Sequence, residues 1–254
     1  MCLVCDAENA ARLASRRGFF KTVGGAGAGL ALVGSGLALQ ASASSAFAKS
    51  KKTPPKPQNV VSPDEALKLL MAGNARYVEG VAKRHDFRHE REPLTKGQNP
   101  YAAILSCADS RIAPEYAFDT ARGDLFVCRV AGNFANDDMI ASLEYAVSVL
   151  NTPLIMVLGH EACGAVDATI KSLKDNKTLP GHLPSLVEAI APAVKASEGK
   201  GGDALADAIR QNVILNVEKL KGAGPIIKPQ VSDRKLRIVG ATYKLKDGRV
   251  ELVS

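Results

Sequence analysis

Ala102-Ala103-Ile104-Leu105-Ser106 runs without a break into Cys107-Ala108-Asp109-Ser110-Arg111. A second run of the same kind, Leu154-Ile155-Met156-Val157-Leu158, leads through Gly159 into His160-Glu161-Ala162-Cys163-Gly164. Short apolar runs closed by polar or glycine residues are the pattern of strands buried on both faces. Both strands therefore end in reactive side chains. Asp124 to Val130 gives a further strand, and Lys235 to Tyr243 and Arg249 to Val253 give two more, joined by a turn at Asp247-Gly248. Helical periodicity fills the gaps: Asp137 to Leu150, capped by Asn136 or Asp137, then Cys163 to about Leu173. Two more helices are predicted within Pro184–Ala196 and Asp203–Leu220. This rhythm argues for an α/β fold, with a mainly parallel central sheet flanked by helices. Ligands bind beyond the carboxyl ends of the strands in such sheets. Cys107 and His160 are thus expected to be neighbours.

Two cysteines and a histidine form a zinc ligand set, and catalytic zinc sites usually keep one of four positions open. Cys107, His160 and Cys163 supply three ligands, and Gly164 lets backbone come close at a helix start. Two thiolates neutralise the charge of the ion, making it a weaker Lewis acid than one held by three neutral imidazoles. Asp109 is either a competitor or a helper. Bound to the metal it would fill the open position and close the site. Paired with Arg111 it is ionised and held away, facing two parallel donors. The competition predicts pH-dependent activity, with low pH favouring the closed form. Cys128 lies inside a predicted strand, where a buried free thiol is the ordinary outcome. The set reads as a zinc lyase or hydrolase acting on a very small substrate.

The rest of the 254-residue chain is consistent with one substantial core. Its formal charge is +7, with 46% hydrophobic and 23% charged residues and no tryptophan. Within residues 1–48 four basic residues stand against Asp6 and Glu8, so +2 of the +7 belongs there and +5 to the remainder. That excess carries no aromatic-interleaved basic motif, which excludes nucleic-acid binding as a reading. Five unevenly spaced cysteines do not form a disulfide framework, and Cys2-x-x-Cys5 lacks the flanking strand and helix of a redox pair.

Residues 1–48 read as a cleaved export signal. Ser15-Arg16-Arg17-Gly18-Phe19-Phe20-Lys21 precedes an apolar stretch from Thr22 to Leu39, and Ala46-Phe47-Ala48 supplies an A-x-A cleavage pattern. The paired arginines resemble a twin-arginine signal, implying the twin-arginine export machinery as a partner and a periplasmic or secreted destination. That route exports folded protein, so a thiolate site is loaded before it meets oxidant. The stretch is too rich in glycine and serine to make a stable membrane span. Residues 49–61 form a linker with three prolines and four lysines, and residues 62–254 form the domain. The domain opens with a helical arm. Ser62 caps it, Pro63 suits the first helical position, Glu65 completes a capping box, and Leu67, Leu70, Met71 and Tyr77 form its apolar face, ending near Gly80. His85 and His89, four residues apart among arginines in the segment Lys83 to Glu92, read as a solvated face.

Taken together, C-x-D-x-R at Cys107–Arg111 and G-H-x-x-C-G-A at Gly159–Ala165 resemble the beta-class carbonic anhydrases, over about Pro63 to Val250. The resemblance implies reversible hydration of CO2 to bicarbonate and a proton. One Zn2+ per subunit would carry a hydroxide oriented by Asp109 and Arg111. It also implies a homodimer or higher homo-oligomer, with sites near the dimer interface. Gln98, nine residues before Cys107, Phe126, 19 after it, and Tyr145, 15 before His160, match the plant-type subclass. There, with Gly164, they are expected to bind substrate in a small apolar pocket. Ile104 stands where the bicarbonate-inhibited subclass places tryptophan, although Arg129 matches an arginine of that regulatory site. Val130 departs from the asparagine usual after that arginine. The same ligand set also serves hydrolases of carbon disulfide or carbonyl sulfide. A non-catalytic exported zinc-binding protein is the third reading, disfavoured because storage needs no acid–base pair.

Overall fold

The computed structural model describes residues 61–199 and 201–253; the leader and all of the linker but Val61 lie outside them. Helix α1, Pro63–Val78, starts as the sequence expects: Ser62 Oγ accepts the Glu65 N–H at 3.2 Å and proline occupies the first turn. Its Ala66, Leu67 and Leu70 are buried against the sheet, so the N-terminal helical segment is packed onto the body of the domain. Tyr77 is 37% exposed, and its hydroxyl lies 3.2 Å from that of Tyr243. The charged segment that follows forms a short helix, α2, Phe87–Leu94.

The core is a five-stranded sheet. Its strands are β1, Ala102–Ser106, β2, Leu125–Arg129, β3, Leu154–His160, β4, Arg237–Tyr243, and β5, Val250–Leu252. The order is β2-β1-β3-β4-β5, with the first four parallel and β5 antiparallel to β4. Interior strands β1 and β3 are buried at every position, which explains their unbroken apolar sequence. Ile104, Met156 and Val239 face α1 and the short α3, Pro114–Ala117. Leu105, Ile155 and Val157 face the opposite side, packed on α4, Asp137–Ser148, and α7, Ala204–Gly222. Each fully buried Ile, Leu or Met of this kind stabilises the fold by roughly 1.5–3 kcal/mol.

Two helices complete the sequence of elements between β3 and α7: α5, Gly164–Lys174, and α6, Pro184–Ser197. A last short helix, α8, Ile227–Ser232, precedes β4. Neither α3 nor α8 is anticipated in the sequence, because four or six residues are too few to display a helical period. Register aligns the two chemical strand ends. Ser106 pairs with Leu158, so Cys107 emerges beside Gly159 and His160, and His160 pairs with Tyr243 on the far side. Beyond this edge Phe134, Val166, Ile190, Val194, Ala208 and Ile209 form a third apolar cluster around Cys107 and Cys163. No helix among the described residues is long and apolar enough to cross a membrane.

His85 departs from the solvated face expected of it. It is half-buried, with Nδ1 3.3 Å from Glu90 Oε1 and Nε2 3.7 Å from Asp119 Oδ1. The side chain of His89 lies outside what is described.

Candidate metal centre

Cys107 leaves β1, His160 ends β3, and Cys163 caps the N-terminus of α5. Their ligand atoms lie within 4.8 Å of one another, and all three residues are buried. Zinc bonds of about 2.0–2.3 Å fit a centre of that size. Among the described residues no other group of three such side chains comes together. His160 Nδ1 donates to the Glu161 carbonyl at 2.8 Å, which fixes the tautomer and leaves Nε2 as the lone-pair nitrogen. Among the described residues that Nε2, buried, has no hydrogen-bond partner. A buried acceptor costs free energy unless something occupies it. Two thiols and an orphaned imidazole nitrogen converging on one point fit zinc.

The two sulfurs are unequal. Cys107 is drawn down to about 4, first by the Cys163 thiol, then against the opposing effect of burial by His160 and by the Gly132 and Asp109 backbone N–H groups. The Gly132 N–H lies 3.3 Å from Cys107 Sγ. Cys163 is pushed upward by the same shared hydrogen bond and by burial. One proton shared between two close thiols gives this pattern, and a cation at the centre removes the conflict. Cys128 is buried elsewhere in β2, where desolvation raises its thiol to about 11.

Asp109 is clamped. Oδ1 accepts the Arg111 backbone N–H and Nε–H, both at 2.9 Å, and Oδ2 accepts Nη2–H at 2.7 Å. This fork holds the carboxyl well below the usual carboxylate range, against a weaker opposing effect of burial. Oδ2 lies 3.8 Å from His160 Nε2, close to the centre yet engaged by arginine. Arg111 Nη2 is anchored in turn on the Ala162 carbonyl at 3.1 Å. Ala162 has φ +50, a left-handed conformation that few non-glycine residues adopt, and it turns the chain between His160 and Cys163. Glu161 ties this turn to the connection that follows β4. Its Oε2 accepts the Leu245 N–H at 3.1 Å, and Lys244 Nζ lies 3.3 Å from Oε1.

Two features escape a reading of the sequence. Arg129 donates to the carbonyls of Cys107, Asp109 and Ile112 at 2.9, 2.7 and 2.9 Å, stapling the whole ligand loop. The sequence marks Arg129 only by its resemblance to a regulatory residue; three carbonyls on a distant loop leave no sequence signal. Gly132 has φ +85, and a Cβ there would lie 2.5 Å from Ile190 Cδ1. Val130 keeps the turn in register through backbone bonds alone, donating to Ser106 and accepting from Ala108 and Asn133.

The pocket residues are not gathered around this centre within one chain. Phe126 pairs with Ala103, four positions before Cys107 on the neighbouring strand. At about 3.3 Å per residue that is roughly 13 Å from the metal ligands. Tyr145 lies on α4 with its ring centroid 6.2 Å from that of Phe126 and is 46% exposed. Gln98 lies in the exposed connection that enters β1 from its amino end. Gly164, by contrast, follows Cys163 directly at the first turn of α5.

Comparison with known proteins bears on the same residues. The family profile described as Carbonic anhydrase matches residues 102–250. Carbonic anhydrase 2 of Mycobacterium tuberculosis is 39% identical over 192 residues, covering 75% of this chain and 93% of that protein. The carbonic anhydrase of Mycolicibacterium smegmatis is 39% identical over 194 residues, covering 76% and 94%. The solved beta-carbonic anhydrase CcaA superposes with a TM-score of 0.56 at 29% identity, over 73% of this chain and 94% of that one. A tetrameric beta-carbonic anhydrase of Sordaria macrospora shares the fold at a TM-score of 0.58 and 22% identity, over 74% and 96%. The chain is an enzyme of the carbonic anhydrase family, of the beta class.

Proposed function

We propose that this chain hydrates CO2 reversibly to bicarbonate and a proton, with one zinc ion held by Cys107, His160 and Cys163. The orphaned His160 Nε2, facing two thiols while Asp109 is clamped by Arg111, is the observation that carries the reading. Zinc held there supplies the Lewis acidity that makes water a nucleophile near neutral pH.

The chain's own residues do the rest. Arg111 keeps Asp109 ionised and out of the fourth coordination position. Asp109 Oδ2 accepts a hydrogen bond from the attacking oxygen and so aims its lone pair at the carbon of CO2. Arg129 holds the Cys107 carbonyl and the Gly132 N–H its sulfur. The proton released on hydration passes to solvent. Acid depletes the hydroxide that would compete with the Asp109 carboxylate for the open ligand position, so low pH would favour a closed form in which Asp109, still ionised, is a ligand.

Gln98, Phe126 and Tyr145 act as a plant-type substrate pocket only if a second copy presents them to the centre. Half-buried Phe126 on edge strand β2, with exposed Tyr145 against it, supports a homodimer or higher homo-oligomer in which this happens. The paired arginines and A-x-A pattern of residues 1–48 support twin-arginine export to the periplasm or beyond.

Stopped-flow measurement of CO2 hydration, run beside carbonyl sulfide and carbon disulfide hydrolysis on the zinc-loaded chain, tests the function. Rapid CO2 turnover that disappears in Asp109→Asn is expected. Turnover of the sulfur compounds alone would replace the proposed substrate, and turnover of neither would leave a zinc-binding protein.

A further inference from the structure

Two buried amides on α7 have a purpose that the reaction as derived so far does not use. Asn212 and Asn216 are 1% and 6% exposed, on a helix face otherwise made of Ala208, Ile209, Val213, Val217 and Leu220. Primary amides are unfavourable in such a place unless their polar atoms are bonded. Here they are bonded to one segment. Asn216 Oδ1 accepts the Ala135 N–H at 2.7 Å, and Asn212 Nδ2 donates to the Gly132 carbonyl at 2.8 Å. Asn216 Nδ2 donates to the backbone and side-chain oxygens of Asn212 at 2.8 and 3.1 Å, which fixes the orientation of the Asn212 amide.

Gly132 is the residue whose N–H approaches Cys107 Sγ. Cys163 stands at the N-cap of α5, at the positive end of that helix's dipole, with no side-chain capping hydrogen bond. Cys107 follows a strand and has no helix behind it. Its amide donor, from across the site, is the Gly132 N–H. A donor to a ligating sulfur withdraws electron density and fixes the direction of the remaining lone pairs.

We propose that Asn212, buttressed by Asn216, is a positioning residue that pins the carbonyl of Gly132, fixes that residue's left-handed backbone conformation with its N–H on Cys107, and thereby tunes the metal–sulfur bond. The proposal rests on the reading of Cys107 as a zinc ligand. The relay runs by hydrogen bonds from Asn216 through Asn212 to the Gly132 carbonyl, crosses the Gly132 backbone, and reaches the sulfur through the Gly132 N–H.

Cobalt substitution of the full chain, read by its thiolate-to-cobalt charge-transfer band, and zinc affinity by chelator competition provide the test. Asn212→Leu keeps the volume and removes the donor. It is expected to shift the band and raise the zinc dissociation constant about 10- to 100-fold. Val217→Ala, on the same helix but away from the loop, is expected to lower stability and leave both readouts unchanged. If Asn212→Leu does not fold, Asn212→Asp keeps the shape and the acceptor for Asn216 while replacing the donor that faces Gly132. The same shift is expected of it. A wild-type band and affinity in the Asn212 variant, or equal changes in Val217→Ala, would overturn the relay alone. A wild-type protein with no thiolate band would remove the ligand assignment and the proposal together.

Discussion

Gly132→Ala perturbs the metal centre without touching a ligand, and its cost follows from the backbone. At φ +85 an L-residue carries a strain of about 1–2 kcal/mol. The new Cβ would lie 2.5 Å from Ile190 Cδ1, 3.3 Å from its Cγ1 and 3.4 Å from Ala165 Cβ. Ile190 is fully buried and has little room to give, so overpacking adds about 1–3 kcal/mol. Alanine restricts the unfolded chain more than glycine, which offsets about 0.4–1 kcal/mol. The net loss is about 1–4.5 kcal/mol, read as a lower urea midpoint at fixed protein concentration. Zinc affinity should fall as well, since the Gly132 N–H shifts off Cys107. Ile190→Val removes the Cδ1 that clashes. Alone it should cost about 0.5–1.5 kcal/mol, but in the Gly132→Ala background it should recover stability, giving a coupling of about 1 kcal/mol. Additive costs, or a Gly132→Ala protein as stable as wild type, would refute the reasoning.

Asp109→Asn keeps the shape of the Arg111 clamp and removes the charged acceptor. CO2 hydration should fall at least about 100-fold with zinc content unchanged, and a wild-type kcat would exclude the proposed role. Arg129→Met frees the carbonyls of Cys107, Asp109 and Ile112 together; chelator competition should show about tenfold weaker zinc binding, and an unchanged value would make Arg129 a bystander. Arg76→Met strands Asp119, whose side chain is 3% exposed and 2.5 Å from Arg76 Nε. The loss should be about 2–3 kcal/mol, below the ~3–5 kcal/mol of a fully buried pair because Arg76 is partly exposed. Burial opposes ionisation of Asp119, but Arg76 and the Lys83 N–H outweigh it and hold its carboxyl below the ordinary value. The ion pair therefore stabilises fully above the unfolded pKa of about 3.9 and is lost as pH falls through the lower folded value. The part of the difference that comes from the ion pair should shrink as pH falls below about 4. A difference that grew on acidification would contradict that sign.

Much of this was legible in the sequence because β1 and β3 are buried on both faces and carry their ligands at their ends. Apolar runs ending in Cys107 and His160 encode both the parallel sheet and the meeting of the ligands. Asp109 and Arg111 are two residues apart, so their fork was local enough to expect. The support around the ligands was not, because it consists of backbone acceptors and donors that any residue provides. Arg129 grips three carbonyls, Asn212 grips one, and Ala162 offers one to Arg111 from a left-handed turn. Asn212 and Asn216, four apart on an apolar helix face, were the visible trace of that support. His85 was misplaced for a related reason, since Asp119, 34 residues on in the chain, is what draws it inward.

A crystal structure of the zinc-loaded chain near neutral pH, with the metal located by anomalous scattering, tests the central claim most directly. One zinc bonded to Cys107 Sγ, His160 Nε2 and Cys163 Sγ is expected, with Asp109 still held by Arg111. Zinc at any other place, or an Asp109 oxygen bonded to it at that pH, would contradict the account.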